Sequence, residues 1–443
     1  MMTRLPKPLA FHATAATAHA NFSVRPLFLA LTIAGMASAA HADGGPSYRL
    51  SGFGTVAAVH SNDSGSDFKA SVFQPNGAGH TSAWSFNPDT RLGLQADGNL
   101  NDSISGVVQV VSQHQYDDTF TPHVEWANIK YQATSELSLR IGRIAAPSFL
   151  LSESRFVGYA SPWVRPPGEV YSELPITSND GVDATYRAAF AGANHSFQAY
   201  VGRSTVDVAK GSKAKSKLSW GFNDSAEFGS FTVRAGYNSF KIDLDLPTVT
   251  PLLAGLAGFS AAAASVPLAP YQAVAAQASA LARKYAMTDM SLSAIALGVN
   301  YDPGTWFVMS EFVDFKGAGF LVDSRAWYAS SGYRFGAWTP FVAYSTMTAR
   351  PHHETIDTTG AAPLAAGAAA LAGGLNATQE AFASTQNTSS IGVRWDAMKN
   401  LALKAQYDSV NIGSSSSGRF ATFAGVTPSK HPHIVSVAAD FVF

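Results

Sequence analysis

Charged side chains recur at every second position of several short segments, which places them on one face of an extended chain. By this alternation one face carries Arg91, Lys130, Arg140, Arg187, Arg234, Arg394 and Lys404, together with Asp97, Asp183, Asp396 and Asp408, while Arg143 stands at a bend. Rows of opposite charge across a narrow aqueous gap orient dipolar solutes and set ion preference. The chemistry that these residues predict is therefore electrostatic rather than covalent.

A long irregular segment follows the alternating stretch 137–143 and adds further charges. Residues 146–179 lack the alternation and contain proline, glycine, tryptophan and three glutamates. A loop of that length has a functional reason. We expect it to fold inward and narrow a water-filled space. Its candidate constriction residues are Glu153, Arg165, Glu169 and Glu173.

Neither catalysis nor metal binding is indicated by a motif. An enzyme would need a nucleophile, a base and an orienting group at one rim, and the abundant Ser, His and Asp residues form no such group in the sequence. His352-His353-Glu354 and His431-Pro432-His433 carry metal-binding side chains. Both lie in predicted external loops, where solvated histidines are the simpler interpretation. We expect no catalytic residue, metal or cofactor.

The elements that position the charges are alternating segments of about ten residues, separated by breaks in a short–long rhythm. Seven short breaks interleave with eight long ones from Tyr48 onward, which gives about sixteen strands. An even number places both termini on the short-turn side. We therefore predict an all-β fold, a transmembrane antiparallel β-barrel of about 16 strands with an inward-folded third external loop.

Composition supports this class over soluble or helical membrane proteins. Charged residues are only 14% of the chain, yet beyond the N-terminus no segment offers 18 consecutive apolar residues. Low charge without apolar runs is typical of strands with one face toward lipid. The formal net charge of -1 gives no indication of a nucleic-acid partner. The absence of cysteine removes thiol catalysis and cysteine metal sites.

The N-terminus and two alanine-rich stretches stand apart from the strand pattern. Residues 1–42 resemble an export signal, with a basic start, an apolar core and Ala40-His41-Ala42 as a cleavage site. The mature barrel would then span residues 43–443. Segments 244–287 and 349–386 are long external loops, and Pro270–Tyr285 has helix-favouring composition.

Aromatic residues gather where strands meet the short turns, as an interfacial girdle requires. They are Tyr131, Phe190, Phe197, Tyr301, Trp306, Phe335, Trp338 and Phe443. The final strand alternates through Val435, Val437, Ala439 and Phe441 and stops on Phe443. This ending resembles the C-terminal signal that the assembly machinery of outer-membrane barrels recognises, with Phe441 and Phe443 as its residues.

Several motifs resemble those of the general, trimeric porin family of Gram-negative bacteria. Arg91-Leu92-Gly93-Leu94-Gln95 is similar to the family's second strand, and Leu139-Arg140-Ile141-Gly142-Arg143 to the strand before its constriction loop. Asn179-Asp180-Gly181-Val182-Asp183 resembles the segment that leaves this loop. The resemblance implies an outer-membrane channel for passive diffusion of small hydrophilic solutes and ions. It also implies a homotrimer in contact with membrane lipid and lipopolysaccharide.

In that family the carboxylates of the third loop face arginines on the wall. Carried over by position, Arg91 and Arg143 would be basic-wall residues, with Arg140 and Lys130 beside them. The loop departs from the family because residues 159–167, YASPWVRPP, replace the usual Pro-Glu-Phe-Gly-Gly run. The basic excess on the inner face predicts a weak anion preference. Two alternatives stay open. One is a substrate-selective channel with Tyr159 and Trp163 as a solute slide. The other is an adhesin or structural barrel.

Overall fold

Backbone hydrogen bonds join sixteen long strands edge to edge, each antiparallel to both neighbours. The computed structural model describes residues 46–443, so the predicted export signal lies outside the described residues. The strands are β1 Ser47–Ser61, β2 Arg91–Asn99, β3 Ile104–Gln113, β4 His123–Gln132, β5 Leu137–Ala145, β6 Ser178–Phe190, β7 Ala193–Ala209, β8 Ser212–Phe228, β9 Phe231–Asp245, β10 Met290–Tyr301, β11 Trp306–Gly317, β12 Asp323–Tyr333, β13 Trp338–Arg350, β14 Thr385–Met398, β15 Leu401–Ile412 and β16 His433–Val442.

The sheet closes on itself through its first strand. One edge of β1 pairs with β2 from Ser47↔Asn99 to Thr55↔Arg91. Its other edge pairs with β16 from Phe53↔Val442 to Ser61↔Ile434. Closure leaves no unpaired sheet edge, which a lipid environment demands. The predicted sixteen-stranded barrel is confirmed.

The connections follow the predicted rhythm with one exception. Short turns link the strands at one end of the barrel, and longer connections link them at the other. The predicted long break at 207–215 is wrong, because β7 and β8 continue through it. They meet in a two-residue turn, Lys210-Gly211. Gly211 has a φ of 76°, a left-handed conformation that suits glycine in tight hairpins.

Two external loops contain helices, as their alanine content favours. The helices are α1 Thr250–Ala264 and α2 Ala269–Lys284 between β9 and β10, and α3 Ala365–Phe382 between β13 and β14. Leu256, Leu281 and Leu375 are buried in one cluster that joins them into a helical cap. The loops span 246–289 and 351–384, within two residues of the predicted bounds. No helix in the described range 46–443 is long and apolar enough to cross a membrane.

The strand faces separate apolar from polar side chains. Ile129, Ile141 and Ile391 are exposed over 57%, 62% and 58% of their surface on the outer face of the barrel. Asn223 and Lys404, by contrast, are buried inside the barrel. An apolar outer surface with a polar interior is the arrangement of a barrel in lipid.

Aromatic rings lie side by side near the short turns. Phe231 stands 4.2 Å from Tyr301 between ring centroids, and Tyr301 stands 5.0 Å from Trp306. Farther around the barrel Trp338 stacks on Trp395 at 5.2 Å. These residues come from neighbouring strands, so the contacts form a girdle at one depth.

Candidate functional site

The connection between β5 and β6 folds into the barrel. We call residues 146–177 the inner loop. It contains a 3-10 turn at Gly158–Ala160 and one short helical turn at Gly168–Tyr171. The predicted loop, 146–179, ends two residues later than the observed one because Ser178 and Asn179 already pair within β6.

The inner loop is fixed to one side of the barrel, along β11–β15. The indole of Trp163 donates a hydrogen bond to Ser330 Oγ at 2.9 Å. Lys404 donates to the carbonyls of Gly158 and Trp163 at 2.7 and 2.8 Å. Because these partners come from β12 and β15, the loop fills that half of the lumen.

Arg165 also joins the inner loop to β15, to β16 and to the residues just before β2. Its guanidinium donates to both oxygens of Asp89, at 2.7 Å for the shortest bond, and to Asp408 at 2.9 Å. Ser436 accepts a further hydrogen bond. All four groups are buried. The hydrogen bonds and the opposite charges offset the free-energy cost of removing these ions from water.

The loop carboxylates meet different partners from those predicted. Glu169 was expected to face wall arginines. Instead, its buried carboxylate accepts hydrogen bonds from Ser345, Gln386 and Thr388. Glu173 does pair with an arginine, Arg419 at 2.6 Å, but this arginine belongs to the last external loop.

Glu153 is the loop carboxylate that meets a predicted wall residue. Arg140 lies 3.2 Å from Glu153 and forms a closer bidentate pair with Asp183, at 2.6 Å. Lys130 stands opposite Arg140 in the register of β4 and β5. Glu153 is 61% exposed at its side chain, so water screens its pair with Arg140.

Two cavities lie on the side of the lumen that the inner loop leaves open. The cavity nearer the long loops, which we call the upper cavity, has a volume of about 300 Å³. Its lining includes Arg91, Gln113, Glu125 and Arg155. The lower cavity, of about 390 Å³, is lined by Gln95, Gln109, Trp126 and Glu153. Within the inner loop, Arg155 and Phe156 line the upper cavity, whereas Glu153 and Val157 line the lower one, and successive stretches of β2, β3 and β4 line the two cavities in the same way. The inner loop therefore stands between the two cavities.

Four arginines line the upper cavity. Arg143 forms a bidentate pair with Asp180, at 2.7 and 2.9 Å, and Arg165 is held as described above. Arg91 and Arg155 make weaker contacts. The side chain of Arg91 approaches Asp89 at 3.9 Å, and Arg155 donates to the carbonyl of Tyr171 at 3.0 Å.

Glu125 enters the upper cavity because of a β-bulge. Gln109 pairs with Trp126, but the next residue, Val110, pairs with Val124. The register shift leaves Glu125 as the extra residue and turns its side chain inward, where it is 2% exposed. Strict alternation with Trp126 would have placed this carboxylate on the lipid face.

The first external loop covers the anchored half of the inner loop. Lys69 lines a small space of about 60 Å³ beside Arg165 and Arg419. Burial lowers the pKa of the Lys69 ammonium to about 8, and the positive charge of Arg419 acts in the same direction, while Asp67 partly opposes them. The Lys69 ammonium therefore has a pKa about one unit above neutral pH instead of its ordinary value of 10.5.

Comparison with known proteins rests on structure alone. No family model matches the chain, and no curated protein matches it by sequence. Among solved structures, it is similar to the outer membrane channel DcaP of Acinetobacter baumannii, with TM-score 0.52, 11% identity and coverage of 92% of this chain and 100% of that one. The anion-selective porin from Comamonas acidovorans matches with TM-score 0.51, 12% identity and coverage of 90% and 100%. Salmonella typhi OmpF in complex with Daunomycin matches with TM-score 0.50, 13% identity and coverage of 91% and 99%.

This is the fold of the bacterial outer-membrane porins. Both the sixteen-stranded barrel and the near-complete coverage of these channels support that assignment. Within the porin fold, the inner loop of this chain corresponds in position to the predicted third external loop. The side chains that hold this loop in place include Ser330, Lys404, Asp89 and Asp408.

The porin fold brings together some predicted residues and separates others. Arg91 and Arg143 line the upper cavity, whereas Arg140 lies with Asp183 below it. Trp163, which the alternative of a substrate-selective channel places in a solute slide, is only 1% exposed and presents no ring to the lumen. The guanidinium of Arg394 covers Tyr159 at 4.8 Å. The slide is therefore not formed by these two residues.

Sequence reasoning missed Arg155 and Glu125. Arg155 lies in the inner loop between two residues without charge, and nothing in the pattern separates it from Arg165. A signal for Glu125 existed, because a carboxylate beside alternating apolar residues is costly on a lipid face. In the stretch His352-His353-Glu354, Glu354 pairs with Lys284, and residues 46–443 hold no cluster of three metal-binding side chains.

Proposed function

We propose that this chain is an outer-membrane channel for passive diffusion of small hydrophilic solutes and ions. A single observation carries the proposal. The inner loop is fixed to β11–β15 and stands between two polar cavities that follow β2–β4 through the barrel. A solute crossing the barrel would pass from one cavity to the other beside residues 153–157.

The charges at this passage would set its ion preference. Arg91, Arg143 and Arg155 face Glu125 and Asp180 in the upper cavity. In a narrow space salt screens such charges less than in bulk solution. Because Arg143 and Asp180 neutralise each other, Arg91 and Arg155 dominate, and they favour anions weakly over cations.

Recordings in planar bilayers test this function. Refolded protein should give stepwise ion currents, and a salt gradient should give a reversal potential on the anion side. Arg155→Ala should move that potential toward cations, whereas Glu125→Gln should move it toward anions. Protein that folds into a barrel yet carries no current would contradict the channel.

The same proposal implies which lipids and proteins contact the barrel. The outer face contacts lipid and lipopolysaccharide, and the family resemblance implies a homotrimer. Phe443 and Phe441 would serve the assembly machinery as the terminal signal. Removing Phe443 should lower the amount of protein in the outer membrane and leave the pore of refolded protein nearly unchanged. A single-chain mass in mild detergent would count against the trimer.

We also propose that the chain has no enzymatic activity. The buried polar groups of the inner loop are engaged in fixing its position, as Arg165 and Glu169 illustrate. A reaction centre needs a base that is free to accept a proton, and groups engaged in this way are not free to do so. They can still shape a channel. Hydrolysis of peptide or ester substrates by the refolded barrel would overturn this view.

A further inference from the structure

Two of the arginines in the upper cavity retain free hydrogen-bond donors. Arg143 and Arg165 use their guanidinium groups on carboxylates. In the described part of the chain, Arg155 lies within 4.0 Å of no carboxylate and donates one hydrogen bond, from Nη2 to Tyr171 O. Arg91 donates from Nε to Asp89 O at 3.3 Å, and its carboxylate contact is long, 3.9 Å.

These two guanidinium groups approach the cavity from different elements. Arg155 belongs to the inner loop and Arg91 to the start of β2, and both line the same cavity. Glu125, on β4, acts on Arg155. A guanidinium carries five donors in a planar fork that matches a carboxylate. Unused donors of two such forks therefore face one aqueous space.

The rest of the lining adds unpartnered polar atoms and aromatic surface. Ser204 Oγ and His114 Nδ1 are buried without a hydrogen-bond partner among the described residues, and both side chains line this cavity. Ser204 is 8% exposed and His114 3%. The ring of Phe156, which is partly exposed, lies 5.7 Å from the Arg155 guanidinium and supplies an apolar side.

We propose that Arg91 and Arg155 form a binding subsite for the carboxylate of a small organic monoanion. The inference rests on the proposed channel function and gives it a preferred solute class. Two guanidinium forks supply the charge-assisted hydrogen bonds of the carboxylate. Phe156 receives its apolar body, and the volume of about 300 Å³ admits a molecule of that size.

Glu125 restricts the subsite to a single negative charge. Its carboxylate is buried in the lining of the same cavity, close to Arg155, and repels a second anionic group on the solute. A monocarboxylate is therefore favoured over a dicarboxylate or phosphate. The flux of a solute that binds in the channel saturates as the solute concentration rises. The flux of small ions that do not bind stays proportional to the ion concentration.

Single-channel recording with benzoate as the probe tests the subsite. Benzoate added to a KCl solution should reduce the wild-type current in a saturable manner, and equal concentrations of phosphate should have a much weaker effect. Arg155→Ala should raise the half-blocking benzoate concentration about tenfold or more, the scale of a lost charge-assisted hydrogen bond. Glu125→Gln should lower it, a gain that misfolding does not produce.

A matched control separates a local subsite from general charge. Arg49 lines the lower cavity, so Arg49→Ala removes the same charge from the lumen but not from the subsite. The half-blocking concentration should stay within about twofold of wild type. If Arg49→Ala weakens the block as much as Arg155→Ala, the subsite is wrong. A pore that conducts KCl but ignores benzoate, or one that phosphate blocks equally, also overturns it and leaves the channel function intact. Loss of all current in folded wild-type protein would instead contradict the channel.

Discussion

Arg165 of the inner loop and Asp89 of the barrel wall form a buried, bidentate ion pair. The Nε atom lies 3.0 Å and the Nη2 atom 2.7 Å from the same carboxylate oxygen of Asp89. The Asp89 side chain has no exposed surface, and the ring of Phe68 covers the guanidinium at 4.7 Å. This pair connects the middle of the inner loop to the residues just before β2 and, with the contacts of Trp163 and Lys404, holds the loop in the lumen.

Replacing Arg165 with alanine should loosen the inner loop and widen the passage. The substitution leaves Asp89 and Asp408 buried without their partner, and breaking a buried pair in this way costs about 3–5 kcal/mol. We expect higher and noisier single-channel conductance and a lower thermal midpoint. Arg325→Ala is the control, because its pair with Asp314 is half exposed. Equal conductance in wild type and Arg165→Ala would show that this pair does not position the loop.

Gly52→Ala should destabilise the seam where the barrel closes. The ring of Phe443 lies over Gly52, and a Cβ atom there would stand 2.3 Å from the ring's Cζ. The ring, which is the far end of a flexible side chain, must therefore shift, at a cost of about 1 kcal/mol, the low end of the range for overpacking. Gly98→Ala serves as control, since a Cβ atom there meets nothing within 4 Å. Heat-dependent gel migration measures both midpoints, and equal midpoints would contradict the role of the ring.

The helical cap should loosen in acid through Glu354. Burial raises the pKa of the Glu354 carboxyl, but hydrogen bonds from Lys284 and Tyr285 and the charge of Lys284 lower it by more, so it lies below its usual range. A depressed carboxyl pKa adds stability above the unfolded pKa, and this is lost as pH falls through the folded value.

Protection factors for hydrogen exchange in α1 and α2, which correct for the slower intrinsic exchange in acid, should therefore fall between pH 7 and pH 3 in wild type. Glu354→Gln should exchange faster at pH 7 and show a smaller change on acidification. Glu380→Gln removes another carboxylate of the cap, one with no ion pair among the described residues, and should behave as wild type. A pH response that survives in Glu354→Gln would assign the effect to another group.

Lys69 should make the barrel more stable in mild alkali. Its pKa of about 8 lies below the value of the unfolded chain because burial and Arg419 disfavour the ammonium form. Between that value and the ordinary lysine pKa the unfolded chain binds more protons, so stability rises with pH in this window. Lys69→Met should reduce the rise in thermal midpoint between pH 7.5 and pH 10. Lys213→Met, at an exposed lysine, should leave the rise unchanged.

The sequence by itself determined the barrel, its strand number and most of its faces. Strand geometry repeats every two residues, so the lipid and lumen positions of a segment such as 391–396 follow from local order alone. The short turns and alanine-rich loops are local signals as well. Alternation assigns Glu125 to the wrong face, because the β-bulge that turns it inward depends on pairing with the neighbouring strand.

Only the tertiary structure decided which groups meet across the lumen. Arg165 contacts Asp89 and Asp408, which lie 76 and 243 residues away in the sequence. No local pattern encodes such contacts, because they depend on the path of the inner loop and on the register of the closed sheet. For the same reason Glu169 meets an amide and two hydroxyls instead of arginines, and Arg155 keeps free donors. Period-two alternation fixes the face on which a charge lies, whereas its partner is fixed by closure of the barrel around the loop.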